Sequence, residues 1–181
     1  MGKSETENLN DEKIADSYYL LIEAPLTDSS LIRDKRLKEV LEFWERNKRG
    51  DNVPLWKCFN PMQFTDILPT ISVFSNEGTL EEPDYLLRVE GDQSAELMKL
   101  PTSMTKVEKA EGYFSKTRLR KLLDLMARTK KPTYFIRNMG WNDDRHYINY
   151  EILSLPFSSR ENGPVDRFLS AKVFHRISLE D

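Results

Sequence analysis

The chain has 181 residues, of which 39% are hydrophobic, 10% aromatic and 31% charged. That is enough apolar material for one core of ordinary domain size and too much for a wholly disordered protein. With 27 basic against 30 acidic residues the net charge is -3, so no global positive excess points to nucleic acid or to an anionic membrane. The single cysteine, Cys58, excludes an intrachain disulfide framework and a cysteine-based zinc site. No run approaches the roughly 20 apolar residues of a membrane span, and the first residues lack a signal peptide's apolar stretch, so a cytoplasmic location is expected.

Residues 1–28 set Lys3 and Lys13 against Glu5, Glu7, Asp11, Glu12, Asp16, Glu23 and Asp28. This reads as an acidic leader, with an apolar cluster at 18–22 suited to packing as a strand. Leu37, Val40, Leu41 and Trp44 then recur at i, i+3, i+4 and i+7. The spacing predicts an amphipathic leading helix over 30–49, capped from Ser29 or Ser30 and closed by Gly50. Pro54, Pro61 and Pro69 forbid a long helix and leave room for one helical turn around Met62 to Leu68.

Two strands are predicted next, Ile71 to Phe74 and Tyr85 to Gly91, joined through a polar segment with Gly78 at the turn. Residues 92–131 read as short helical pieces broken by Pro101, leading to a clear helix with Leu119, Leu122, Leu123 and Met126 on one stripe. After Pro132 three long strands are predicted, Thr133 to Trp141, Arg145 to Phe157 and Val165 to Ile177. The turns between them hold Asn142-Asp143-Asp144 and 160–164. Short loops between long strands make an antiparallel meander, and the fold class is α+β.

Several residue patterns add to this order. They are Leu41-Glu-Phe-Trp44 on the leading helix, Pro54 with Asn60-Pro61, Leu68-Pro69 entering the first strand, and Leu87-Arg88-Val-Glu-Gly91 closing the second. Together with two strands, short helices and a three-strand meander, they resemble the PAS-like family typical of alphaproteobacteria. The similarity spans about Leu31 to Arg176. The chain departs from that family at Trp56, where an Arg is common, at Gly91-Asp92, where Gly-Thr is common, and at 99–103. The resemblance implies a five-stranded antiparallel sheet with helices on one face around a small pocket, occupying 29–177. It also implies a sensory or protein-interaction module in signalling. With no transmitter element recognised in the chain, a stand-alone module whose signal leaves through a protein partner or a homodimer is expected.

Each cofactor known in PAS proteins needs a distinctive residue. A covalent flavin or a thioester-linked chromophore needs a cysteine after the second strand, yet Cys58 precedes the first. A haem commonly takes an axial histidine from the helix before the third strand, and 112–131 holds none. Both are disfavoured, and no cofactor or metal is expected. His146 and His175 read as ordinary sheet histidines, and Asp143 with Asp144 as turn formers.

Arg88 interrupts the apolar run Tyr85-Leu-Leu-Arg-Val and matches a characteristic family arginine. It either pairs with an acidic neighbour on the outer face or recognises an anion at the pocket. Arg88, Tyr134, Asn149 and Tyr150 form the expected ligand set. In 116–131, Lys116, Arg118, Arg120, Lys121, Arg128, Lys130 and Lys131 face one acid, Asp124. Trp44, Arg118, Arg120 and Lys121 are the expected partner contacts. A solvated face, an acidic partner and nucleic acid remain open for this helix, although missing aromatic interleaving argues against single-stranded nucleic acid. No enzymatic activity is expected; the rival is a small enzyme using the same cavity with Glu151 as base.

Overall fold

In the computed structural model the described residues are 18–20, 25–101, 103–109, 116–139 and 148–176. The strands are β1 (Tyr18–Leu20), β2 (Ile71–Asn76), β3 (Tyr85–Glu90), β4 (Ser103–Lys106), β5 (Thr133–Asn138), β6 (Ile148–Phe157) and β7 (Arg167–Arg176). The helices are α1 (Lys35–Arg46), α2 (Asp92–Met98) and α3 (Lys116–Thr129). One antiparallel sheet runs β1-β5-β6-β7-β2-β3-β4. The five strands expected from sequence all occur, and the expected count is corrected upward. β4 adds to β3 at one edge, and the short β1 pairs with β5 at the other. The call of turn formers at Asp143 and Asp144 and the sheet placement of His146 lie outside the described residues. No described helix is long and apolar enough to cross a membrane.

The sheet closes through β7, which pairs with β6 on one side and with β2 on the other. Register sets the faces. Ile71, Val73, Tyr134, Ile136, Leu153 and Ala171 share one face and pack in one core with α1's buried stripe Leu37, Val40, Leu41 and Trp44. The residues between them face α2 and α3. With α1 on one face and α2 and α3 on the other, β2 is buried at all six positions. β3 keeps an open back, where Val89 is exposed.

One side chain ties α1 to its face. The Trp44 indole donates to Pro156 O at 2.6 Å in a buried contact. Pro156 can occupy a strand because β5 stops pairing at Ser154, so the missing N–H falls beyond that ladder. The helix begins later than its periodicity predicts. Asp28, not Ser29 or Ser30 as cap of one long helix, opens a separate 3-10 turn at Ser29–Leu31. Buried Ile32 follows in extended backbone, and Asp34 caps α1 by accepting from Arg36 N at 2.8 Å. At the other end Asn47 is the cap, and Gly50, at φ +60, serves the following turn instead.

Gly91 is needed for close approach, because a Cβ there would lie 2.5 Å from the Pro69 carbonyl carbon and from Leu68 O. The Leu68-Pro69 and Gly91 patterns noted in the sequence are therefore in contact with each other.

The Arg36 guanidinium, bonded to both Asp34 oxygens at 3.0 and 2.9 Å, holds the Asp34 carboxyl below its usual range. A group with a depressed folded pKa contributes fully above its unfolded value, about 4, and loses that contribution as pH falls through the folded value. Arg36 is half exposed, so screening holds the charge's share to about 0.5 kcal/mol. Asp34→Asn keeps the cap acceptor and removes the charge. Urea unfolding should find it less stable by about that amount at pH 7, with the difference disappearing as pH falls through the Asp34 folded value.

Candidate functional site

Small side chains open a space against the sheet on its α3 face. Ser72 is opposite Ser170, and Ser170 is opposite Ser154, so a row of short hydroxyl side chains crosses β2, β7 and β6. α3 roofs the row with Leu119, Leu122, Leu123 and Met126, while Met98 of α2 and Phe135 of β5 bound it. The cavity left between them has a volume of about 80 Å³. At about 10–15 Å³ per water on this measure, it has room for roughly five waters or one small organic molecule. Tyr85 ties the roof to the sheet by donating to Asp124 Oδ1 at 2.6 Å; burial, with that carboxylate adding to it, pushes the Tyr85 hydroxyl pKa up and keeps it a donor.

The polar lining is cationic. Lys172 Nζ donates to Glu90 Oε1 at 2.9 Å and to Ser72 Oγ, with the Lys172 and Glu90 side chains only 6% and 0% exposed. Arg137 from β5 and Arg118 from α3 also line the space, as does Tyr150. Ser154 and Ser170 hydroxyls lie 2.7 Å apart, one donating to the other. Among the described residues no Asp or Glu lines the cavity.

A second polar centre lies on the opposite face. Buried Glu151 takes the Tyr134 hydroxyl at 2.7 Å and the backbone N–H groups of Arg33 and Asp34 at 3.2 Å each on Oε2. His175 Nε2 is 2.9 Å from Oε1. Burial, followed by the bond to Glu151, raises the Tyr134 hydroxyl pKa. The cluster satisfies backbone donors at the entry to α1 and so anchors that helix.

The expected ligand set is divided by this geometry. Tyr150 lines the cavity. Tyr134 does not, because strand alternation turns it to the α1 face with Glu151. Asn149 shares that face and accepts from Asn138 Nδ2 at 2.9 Å. Arg88 points to the outer side of β3, where it donates to Ser75 Oγ at 2.8 Å and to Glu77 at 2.6 Å. Of the two readings for Arg88, the geometry is that of the acidic pair.

The expected partner set is divided too. Trp44 is 1% exposed and its surface is spent on the core, which corrects its assignment as a contact residue. Arg118 reaches the cavity, Arg120 pairs with Glu108 at 2.9 Å, and Lys121 is exposed. Among the described residues no group of three or more His, Cys, Asp or Glu side chains could hold a metal ion. Sequence reasoning missed Lys172, Glu90 and the serine row. The available signals were a lysine inside the apolar run 168–174 and a serine in each of three neighbouring strands. No family model matches the chain, and no curated protein matches it either.

A buried ion pair costs much to halve and little to replace whole, because a single substitution leaves one charge uncompensated. Lys172→Met and Glu90→Gln should each destabilise the protein by about 3–5 kcal/mol in urea unfolding at pH 7. The double variant should lose clearly less than the sum of the two. Additive losses would mean that the two groups are not coupled.

Proposed function

We propose that the chain is a PAS-like sensory and protein-interaction module in signalling that holds a small ligand in its internal cavity. The observation that carries this reading is the cavity itself, a partly open space on a row of serines, roofed by α3 and bounded by α2. Element order supports the same reading, since β2 and β3, the short helices and the meander β5-β6-β7 join in one sheet through the β7–β2 pair.

The layering offers a route for output. β6 and β7 carry Ser154, Ser170 and Lys172 on the cavity face, and Leu153, Leu155 and Ala171 in the core with α1 on the other. A ligand that shifts those strands changes the seat of α1, and contact with a protein partner or a second copy follows from that helix. The ligand must bind the shifted state better than the unshifted one to move the balance.

The rival readings find less in the geometry. Glu151, the base an enzyme would use, lies on the face away from the cavity with its carboxylate occupied by four donor groups. The basic helix has Arg118 turned to the cavity and Arg120 paired, which breaks up the patch an acidic partner or nucleic acid would need.

The test is a thermal-shift screen of small metabolites on the intact chain, together with mass spectrometry of what co-purifies. A ligand at 100 times its Kd adds about 2.7 kcal/mol, or roughly 5–10 °C at this size. Ser170→Leu fills the floor and should abolish the shift while keeping the native circular dichroism. If nothing co-purifies and no compound moves the melting point, the ligand-binding half of the proposal fails.

A further inference from the structure

We infer that the cavity takes a small uncharged carbonyl compound, a short ketone in class, with its oxygen on the serine row and its hydrocarbon under α3. This deepens the proposed function and rests on its cavity reading. The charges around the space are already answered inside the protein. Lys172 is held by Glu90 and Ser72, and neither Arg118 nor Arg137 is without a partner. No carboxylate among the described residues lines the space for a cation to meet. An ion taken into such a site would give up its water without gaining an uncommitted counter-charge, a cost that a neutral molecule does not carry.

The hydroxyl row differs from the charges, because two of its protons have no acceptor among the described residues. Ser72, Ser154 and Ser170 are all buried and all line the space. Ser72 Oγ accepts from Lys172 Nζ, and among the described residues nothing accepts the Ser72 proton in turn. In the Ser154–Ser170 pair one hydroxyl donates to the other, which leaves the accepting hydroxyl's own proton unspent. Buried donors of this kind are costly to leave unanswered. Ser170 is opposite Ser72 on one side and Ser154 on the other. Neighbouring strands are about 4.8 Å apart, so when Ser154 is the donor of its pair, one oxygen seated between Ser72 and Ser170 takes both protons.

That excess of donors selects the polar atom of the ligand. A carbonyl oxygen carries two lone pairs and no proton, so it accepts from two hydroxyls and needs no acceptor itself. An alcohol would add one more proton to a row already short of acceptors. Phe74, Leu87, Leu122, Leu123, Met126 and Phe135 surround the rest of the space, which suits a hydrocarbon body. A volume of about 80 Å³ leaves room for roughly five or six heavy atoms, each counted as a water.

Calorimetry of the intact chain would compare cyclopentanone with methylenecyclopentane, in which a CH2 group replaces the oxygen, and with the ions cyclopentanecarboxylate and cyclopentylammonium. Cyclopentanone should bind, and both ions should bind far more weakly. The infrared C=O stretch of the bound ketone should lie below its position in hexane, as hydrogen bonding to the carbonyl requires. Ser72→Ala, Ser154→Ala and Ser170→Ala, made together, should weaken cyclopentanone by about fivefold or more. The same variant should hold methylenecyclopentane at least as tightly as the wild type does, which also shows that it is folded. A C=O stretch unchanged from hexane, a ketone that fails where the hydrocarbon binds, an ion that binds as tightly as the ketone, or a triple variant with full ketone affinity overturns the carbonyl inference while the cavity reading stands. The stretch is read on the wild type, so it decides even where the triple variant does not fold. If none of the four compounds binds, the cavity reading falls with it.

Discussion

Burying both faces of an antiparallel sheet removes water as a partner for every polar side chain inside it, so each such group must be answered by protein or by a ligand. Here that constraint is met in two different ways. On the α1 face, Glu151 is answered by Tyr134, His175 and two backbone N–H groups, and the outcome is a fixed helix. On the α3 face, Lys172 is answered by Glu90 and Ser72, while Arg137 and Arg118 border a space instead of a packed interior. One centre is saturated and structural. The other borders a cavity, and that is why the functional reading is placed there.

The two centres share strands. Glu151 and Ile152 are neighbours on β6, and Ala171 and Lys172 are neighbours on β7, each pair divided between the faces by ordinary strand alternation. A close-packed sheet transmits small displacements because it has no slack to absorb them. α1 lies on those same strands through its apolar stripe and through the Trp44 bond to Pro156. Sensing and output in this account therefore need no hinge or moving loop, only two helices seated on opposite sides of β6 and β7.

Much of the fold was legible because it rests on periodicity. Leu37, Val40, Leu41 and Trp44 announce α1, and Leu119, Leu122, Leu123 and Met126 announce α3, since a 3.6-residue period survives whatever the helix packs on. The five long strands were legible from their β-branched and aromatic runs. β4 was not, because 103–106 is short and polar and becomes a strand only by pairing with β3 at an edge. The start of α1 was misplaced because its true entry depends on Glu151, more than a hundred residues away.

The site was less legible than the fold. Alternation identifies two sets on β5 and β6 and gives no means of choosing the one facing the cavity, since both faces are buried; Tyr134 and Asn149 fell on the other side for that reason. Arg88 is an arginine in an apolar strand, as Arg137 is, and the sequence does not tell the half-exposed one, bonded to Ser75 and Glu77, from the buried one. The most direct measurement is an NMR titration of the intact chain with the compound that most raises its melting point in the metabolite screen, following the amides of Ser72, Ser154 and Ser170 and the indole N–H of Trp44. The account predicts saturable shifts at the three serines with a smaller, concurrent shift at the indole on the opposite face. Serine amides that stay fixed while only surface residues move would contradict it.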